Sequence, residues 1–228
     1  MNVNLKLLVA QIASLILAFS APMFLAAGTL NWVAGWAFLI LFFGFVIGLT
    51  WWLYKNNPAL LTERMTGSYR ADQKTQDVVL IAVIGVLFFA WLIFMPLDAV
   101  RFQWSHMPGW LQVVGAVILI VSFYMFFATF KENSYLSPAI RVQDERGQKV
   151  ISTGPYHFVR HPMYAAFLLL VVGTPLLLGS WYGLLFGLVL VLGVARRAVL
   201  EEQTLKDELQ GYDAYMKQVR YRFVPYVW

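Results

Sequence analysis

Six long apolar runs, separated by polar stretches, set the pattern of this chain. They lie at about Leu7 to Gly28, Trp32 to Tyr54, Val78 to Ala99, Gly109 to Phe130, Pro162 to Leu178 and Trp181 to Ala198. Crossing a bilayer as a helix takes about 20 predominantly apolar residues. The pattern therefore predicts an all-α, polytopic membrane bundle of about six helices. Spans one and two are joined by the short turn TLN, and spans five and six through Gly179-Ser180, so each of these pairs is expected to form a tight hairpin. The last two spans are the shortest. The first could be mistaken for a secretory signal, but its apolar run of about 22 residues exceeds the 7 to 15 of a signal core. It is expected to be retained.

Charge then orients the bundle. Lys6 precedes span one, and Lys55, Arg64, Arg70 and Lys74 separate spans two and three. Lys131, Arg141, Arg146, Lys149 and Arg160 separate spans four and five, and Arg196, Arg197, Lys206, Lys217, Arg220 and Arg222 lie at or after the end of span six. With six spans, all of these fall on one side, and only Arg101 falls on the other. Cytoplasmic loops gather Lys and Arg, so both termini are expected in the cytoplasm. The net charge of +5, on a chain that is 60% hydrophobic and 13% charged, reflects this rule rather than a nucleic-acid partner. Trp32, Trp51, Trp52, Tyr54, Trp104, Trp110 and Trp181 stand near span ends, as an interfacial aromatic belt would. No ionisable residue sits in the middle of a span, which argues against a pump, an ion channel or a proton-coupled transporter. The chain has no cysteine, which excludes disulfides, thiolate metal sites and cysteine nucleophiles.

Polar chemistry is concentrated in two places: residues 131–161, ahead of span five, and the tail that begins ARRAVLEEQ at the end of span six. Because spans five and six form a hairpin, the two segments must meet at the membrane surface. Pro162 suits the first position of a helix. His161 then occupies the cap, beside free N–H groups that accept anions. Span six is expected to continue as a helix beyond the membrane. Arg197 and Glu201, four residues apart, then share a face, with Glu202 about 100° further round. Two adjacent glutamates against an anionic surface suit a cationic ligand. Beyond them, a break at Gly211 and a basic-aromatic segment lying on the surface are expected.

The segment GQKVISTGPYHFVRHPMYAA, followed after a hairpin by RRAVLEEQTLKDELQGYDAYMKQVRYRFVP, resembles the isoprenylcysteine carboxyl methyltransferase family of integral membrane enzymes. The likeness covers about Asn133 to Pro225 and rests on G-x-Y, R-H-P-x-Y, R-x-x-x-E-E and Gly-Tyr-x-x-Tyr in that order. It implies two regions: residues 1–130 as four N-terminal spans, and residues 131–228 as the methyltransferase region, with its helical hairpin at 162–198. It implies S-adenosylmethionine as cofactor, with S-adenosylhomocysteine as product. Cofactor-binding residues carried over from the family are Gln148, Lys149, Val150, Ile151, Tyr156, His161, Pro162, Met163, Tyr164 and Glu201. Arg197 matches an arginine associated with the substrate and is the candidate catalytic residue. Family enzymes acting on prenylated proteins typically have a histidine where Gln148 stands, so this chain departs there.

The residues suit the donor chemically. A glutamate takes its ammonium, tyrosine faces take its sulfonium by cation–π attraction of about 0.5–2 kcal/mol, and a helix start takes its carboxylate. The expected partners are the bilayer and a lipophilic or prenylated acceptor, with no nucleic acid and no metal. Two other functions suit parts of the pattern: an NADPH-dependent sterol-type membrane reductase, whose C-terminal pattern is similar, and a non-enzymatic membrane scaffold.

Overall fold

A computed structural model of the chain describes residues 3–65 and 75–228. Arg70 and Lys74, two of the cations counted above, lie outside the described residues. Within them the fold is all-helical: α1 (Leu5–Ala27), α2 (Val33–Asn56), α3 (Pro58–Met65), α4 (Thr75–Pro96, extended by a π turn over Leu97–Arg101), α5 (Gly109–Glu132), α6 (Pro162–Leu178), α7 (Trp181–Glu208) and α8 (Tyr212–Gln218). Five of these, α1, α2, α4, α5 and α7, are long and apolar enough to cross a membrane. The sixth, α6, has 17 residues, the lower limit for a bilayer of about 30 Å. The chain is an integral membrane protein built as a helical bundle.

Local chemistry places the helix ends where the sequence suggests. Asn4 caps α1 by accepting from the Leu7 N–H at 3.1 Å, and Gly28 closes that helix with φ +72°. Ser180 caps α7 by accepting from the Gly183 N–H at 2.8 Å. Its hydroxyl in turn donates to Asp98 Oδ2 at 2.5 Å, and Ser105 donates to the same oxygen at 2.7 Å. The tight turn between α6 and α7 is thereby tied to the end of α4.

Packing in the membrane layer rests on aromatic rings and on two glycines. Phe19, Phe38, Phe43, Trp91 and Phe123 form one buried cluster with aliphatic neighbours. Trp91 Nε1 donates to the Gly183 carbonyl at 2.7 Å, which satisfies its only polar atom. Helices α5 and α6 touch at the backbone. A Cβ on Gly115 would lie 2.3 Å from the Leu177 nitrogen, and one on Gly173 would lie 3.0 Å from the Gly115 carbonyl oxygen. Small residues at such crossings permit close van der Waals packing where lipid gives no hydrophobic drive.

The tail differs from the expected surface segment. α7 runs unbroken to Glu208, past the expected membrane exit at Ala198, as a stretch rich in Arg, Leu, Glu and Lys should. Gly211 breaks it with φ +88°. The chain then re-forms a helix, α8, and turns inward: Tyr212 and Tyr215 are buried against Tyr156, Leu209 and Val219. Apolar ring faces drive this burial, which a reading based on basic-aromatic composition alone assigned to the lipid surface.

Candidate active site

The polar end of the bundle is assembled from residue contacts that cross long sequence distances. His161 occupies the cap of α6 and Pro162 its first turn. The backbone of residues 160–161 pairs with the tail: the Arg160 N–H donates to Tyr221 O and the His161 N–H to Arg222 O, both at 2.9 Å. Arg160 is buried rather than in contact with the lipid surface. Its Nε donates to Glu202 Oε1 at 2.6 Å, and its Nη1 donates to the carbonyls of Val219 and Arg220 at 2.8 and 2.7 Å. Arg222 Nε reaches the other Glu202 oxygen at 2.8 Å, and His161 Nε2 lies 3.2 Å from Oε1.

The two glutamates therefore divide. Glu202 is buried and paired with the guanidiniums of Arg160 and Arg222, with His161 beside it, so no ligand is needed to account for it. Glu201 keeps its side chain 28% exposed. It accepts from Tyr164 Oη at 2.6 Å. Tyr164 Oη accepts in turn from Arg197 Nη1 at 2.9 Å. Arg197 also donates from Nε to Asp77 Oδ1 at 3.0 Å and from Nη2 to the Pro138 carbonyl at 2.6 Å. Asp77 Oδ2 accepts from the Ile140 N–H at 2.9 Å. One carboxylate at the start of α4 thus fixes both the guanidinium and the loop over it. Three of the five Arg197 donors are engaged, and two N–H groups remain.

These groups surround a cleft of about 840 Å³, its open mouth included. Gln148, Lys149, Val150, Ile151, Tyr156, His161, Pro162, Met163, Tyr164, Arg197 and Glu201 all line it, so every site residue singled out in the sequence stands around one cavity. Two 3-10 turns, Asp144–Arg146 and Gly154–His157, shape the loop that supplies the first five. Gly154 has φ +56°, and a Cβ there would sit 2.9 Å from a Glu132 carboxylate oxygen. Glu132 also pairs with the Thr153 hydroxyl.

Other lining residues were not among the site residues expected from the sequence: Asn133, Tyr135, and Tyr212 and Tyr215 of the Gly-Tyr-x-x-Tyr motif. Asn133 Nδ2 donates to Tyr156 Oη at 2.8 Å, and Tyr215 Oη donates to the Tyr156 carbonyl at 2.8 Å. Asp77 was missed as well. An acidic residue at the mouth of an apolar run was the available signal for it. For the tyrosines the signal was their i, i+3 spacing, which puts both on one helix face.

The cleft offers tyrosine ring faces and one partly exposed carboxylate, Glu201, to a polar ligand. Burial pushes the phenols of Tyr156, Tyr212 and Tyr215 up, so they stay neutral and offer intact ring faces. Two lining residues carry a buried polar atom with no partner among the described residues, Tyr212 Oη and Arg141 Nε. Such atoms cost free energy unless a ligand or water satisfies them. Arg141 otherwise pairs with Glu63 at 3.2 Å and Glu145 at 2.6 Å, which raises its guanidinium pKa. Among the described residues, no three His, Cys, Asp or Glu side chains stand together as a metal site would require.

Apolar helices closed at one end by a polar, tyrosine-rich cleft form the frame in which the comparison with known families is read. Residues 110–210 match the phospholipid methyltransferase family, PEMT. PEMT is a member of the isoprenylcysteine carboxyl methyltransferase-type membrane methyltransferase family, so the match supports a methyltransferase over that segment. The match runs from the start of α5 to just before Gly211. Asp77, Arg64, Tyr212, Tyr215 and Arg222 lie outside it. No curated protein matches the chain.

Proposed function

We propose that this membrane methyltransferase uses S-adenosylmethionine and methylates a lipid-like acceptor, with residues 131–228 as its catalytic region and the cleft facing the cytoplasm. The observation that carries the reading is the convergence on one cleft of all eleven residues singled out in the sequence. When bound, the cofactor would supply a methyl carbon whose bond to sulfur breaks as a bond to an acceptor carboxylate oxygen, amine nitrogen or thiol sulfur forms, leaving S-adenosylhomocysteine.

The protein's contribution is placement. Glu201, half-exposed and oriented by Tyr164, holds an ammonium. The neutral faces of Tyr156, Tyr212 and Tyr215 flank a cation and an aromatic base. The Tyr212 hydroxyl, otherwise unsatisfied, gains an acceptor. Arg197 turns its two remaining N–H groups toward the acceptor head, held in register by Asp77 and Tyr164. Alignment of two reactants in this way supplies roughly 7–11 kcal/mol of a barrier. The cation bias toward one side supports a cytoplasmic cleft.

Binding calorimetry on the purified protein tests the cofactor, with S-adenosylmethionine and NADPH titrated separately. The reading expects the first to bind and Glu201→Gln to weaken it about tenfold or more, as loss of a charge-assisted hydrogen bond should. Binding of NADPH alone would overturn it. Incubation with labelled donor and a total lipid extract then identifies the acceptor.

A further inference from the structure

A second cavity lies in the membrane layer and shares a wall with the cleft. It is a groove between α1, α2, α5 and α6 with a free volume of about 1230 Å³, its open side included. Leu15, Phe42, Leu49, Phe126 and Leu170 line it, and Met163 lines both the groove and the cleft. Several of these side chains remain half-exposed, so the groove opens sideways toward lipid. Its α2 wall extends from Phe42 to Leu53, a helix rise of about 16 Å and so close to one leaflet of hydrocarbon.

One cation closes the polar end of this apolar groove. α3 carries Arg64 there, over the Phe130 ring at 4.8 Å, with Nη1 donating to the Leu136 carbonyl at 3.1 Å. Leu136 also lines the cleft. Among the described residues no carboxylate lies within ion-pair distance of Arg64, and one of its five donors is engaged. Burial and the charge of Arg197 lower its pKa to about 10, so it stays cationic at neutral pH. A guanidinium set in apolar surroundings without a counter-ion is costly, and an anion that enters from the bilayer would offset that cost.

We propose that the groove seats one chain of the acceptor lipid and that Arg64 holds the phosphate of that lipid, leaving the methylated atom past the phosphate on the cleft side of Met163. The inference rests on the methyl-transfer reading and deepens it. It makes Arg64 a specificity-determining residue and commits to an acceptor whose anionic group is separate from its nucleophile. An amphiphile whose carboxylate is itself methylated would have to give that anion to the cleft, and Arg64 would then go unused. Because α1, α2 and α3 lie outside the family match, acceptor choice is carried by the part of the chain without family features.

The test uses the full chain in detergent micelles with three probes: dioleoyl phosphatidylethanolamine, oleylamine, which keeps chain and amine but lacks phosphate, and farnesylcysteine. Native mass spectrometry reads retained lipid, and labelled donor reads transfer. The phospholipid is expected to be retained about tenfold more than oleylamine, as one bidentate Arg–phosphate contact provides. Arg64→Gln should remove that difference, and Arg64→Lys should restore part of it. Thr50→Trp, which fills the groove from an α2 position that does not line the cleft, should abolish retention while S-adenosylmethionine affinity holds. Phospholipid retention indifferent to both Arg64→Gln and Thr50→Trp would mean ordinary annular lipid and overturn the inference. Preference for farnesylcysteine that depends on Arg64 would also overturn it. Arg64-dependent phospholipid binding without donor binding or transfer would leave the groove assignment standing and sink the enzyme reading instead.

Discussion

At the scale of single residues, the adjacent pair Glu201 and Glu202 divides between a partly exposed position in the cleft and a buried one in the fold. Glu202 is buried among Arg160, His161 and Arg222, so Glu202→Gln leaves the two guanidiniums facing one another without a counter-charge. Removing one partner of such a cluster costs about 3–5 kcal/mol. Denaturant or thermal unfolding in micelles should show a loss of that order for Glu202→Gln and little change for Glu201→Gln. An equal loss in both would contradict the division. Tyr164→Phe keeps the ring but removes the hydroxyl between Arg197 and Glu201. Donor affinity should fall about tenfold, the equivalent of one lost hydrogen bond near a charge. Unchanged affinity would mean that Glu201 does not depend on Tyr164 for its orientation.

At the scale of elements, the glycine contact between α5 and α6 sets how the cleft is held. Gly115→Val would push a side chain into the α6 backbone. Overpacking of this kind costs about 1–3 kcal/mol, and here it should also shift His161 and Tyr164, which stand at the start of α6. A lower unfolding temperature together with weaker cofactor binding is the expected result, whereas weaker stability alone would show that α6 tolerates the displacement. The apolar runs made most elements legible beforehand. α6 begins and ends at Pro162 and Leu178 as read, because a proline start and a glycine stop are local signals. The residues that line the cleft were legible only through the order of short motifs along the chain. What the sequence did not disclose depends on distant pairing. Asp77 gains its role from Arg197, 120 positions away, and Tyr212 and Tyr215 bury themselves against a loop some 60 residues earlier. α3 was passed over because eight residues carry too little periodicity to mark a helix.

At the scale of the whole molecule, the absence of native cysteine makes orientation directly measurable. Trp110 and Lys217 are exposed at opposite ends of the bundle. With the cleft in the cytoplasm, Trp110→Cys should react with an impermeant maleimide in intact cells, and Lys217→Cys only in inside-out vesicles. The reverse pattern would invert the topology argued from charge. The far end matters to the chemistry in a further way. Ser180 and Asp98 clamp the foot of α7, while Glu201 rides 21 residues up the same helix. That span is a lever arm of about 30 Å, on which one degree of tilt at the foot carries the carboxylate about half an ångström. Active sites tolerate misplacement of roughly that size and little more. The clamp at the foot of α7 therefore acts as the fulcrum that keeps a cleft carboxylate at the opposite end in aim, and a loosened Asp98 would be felt at the cleft about 30 Å away.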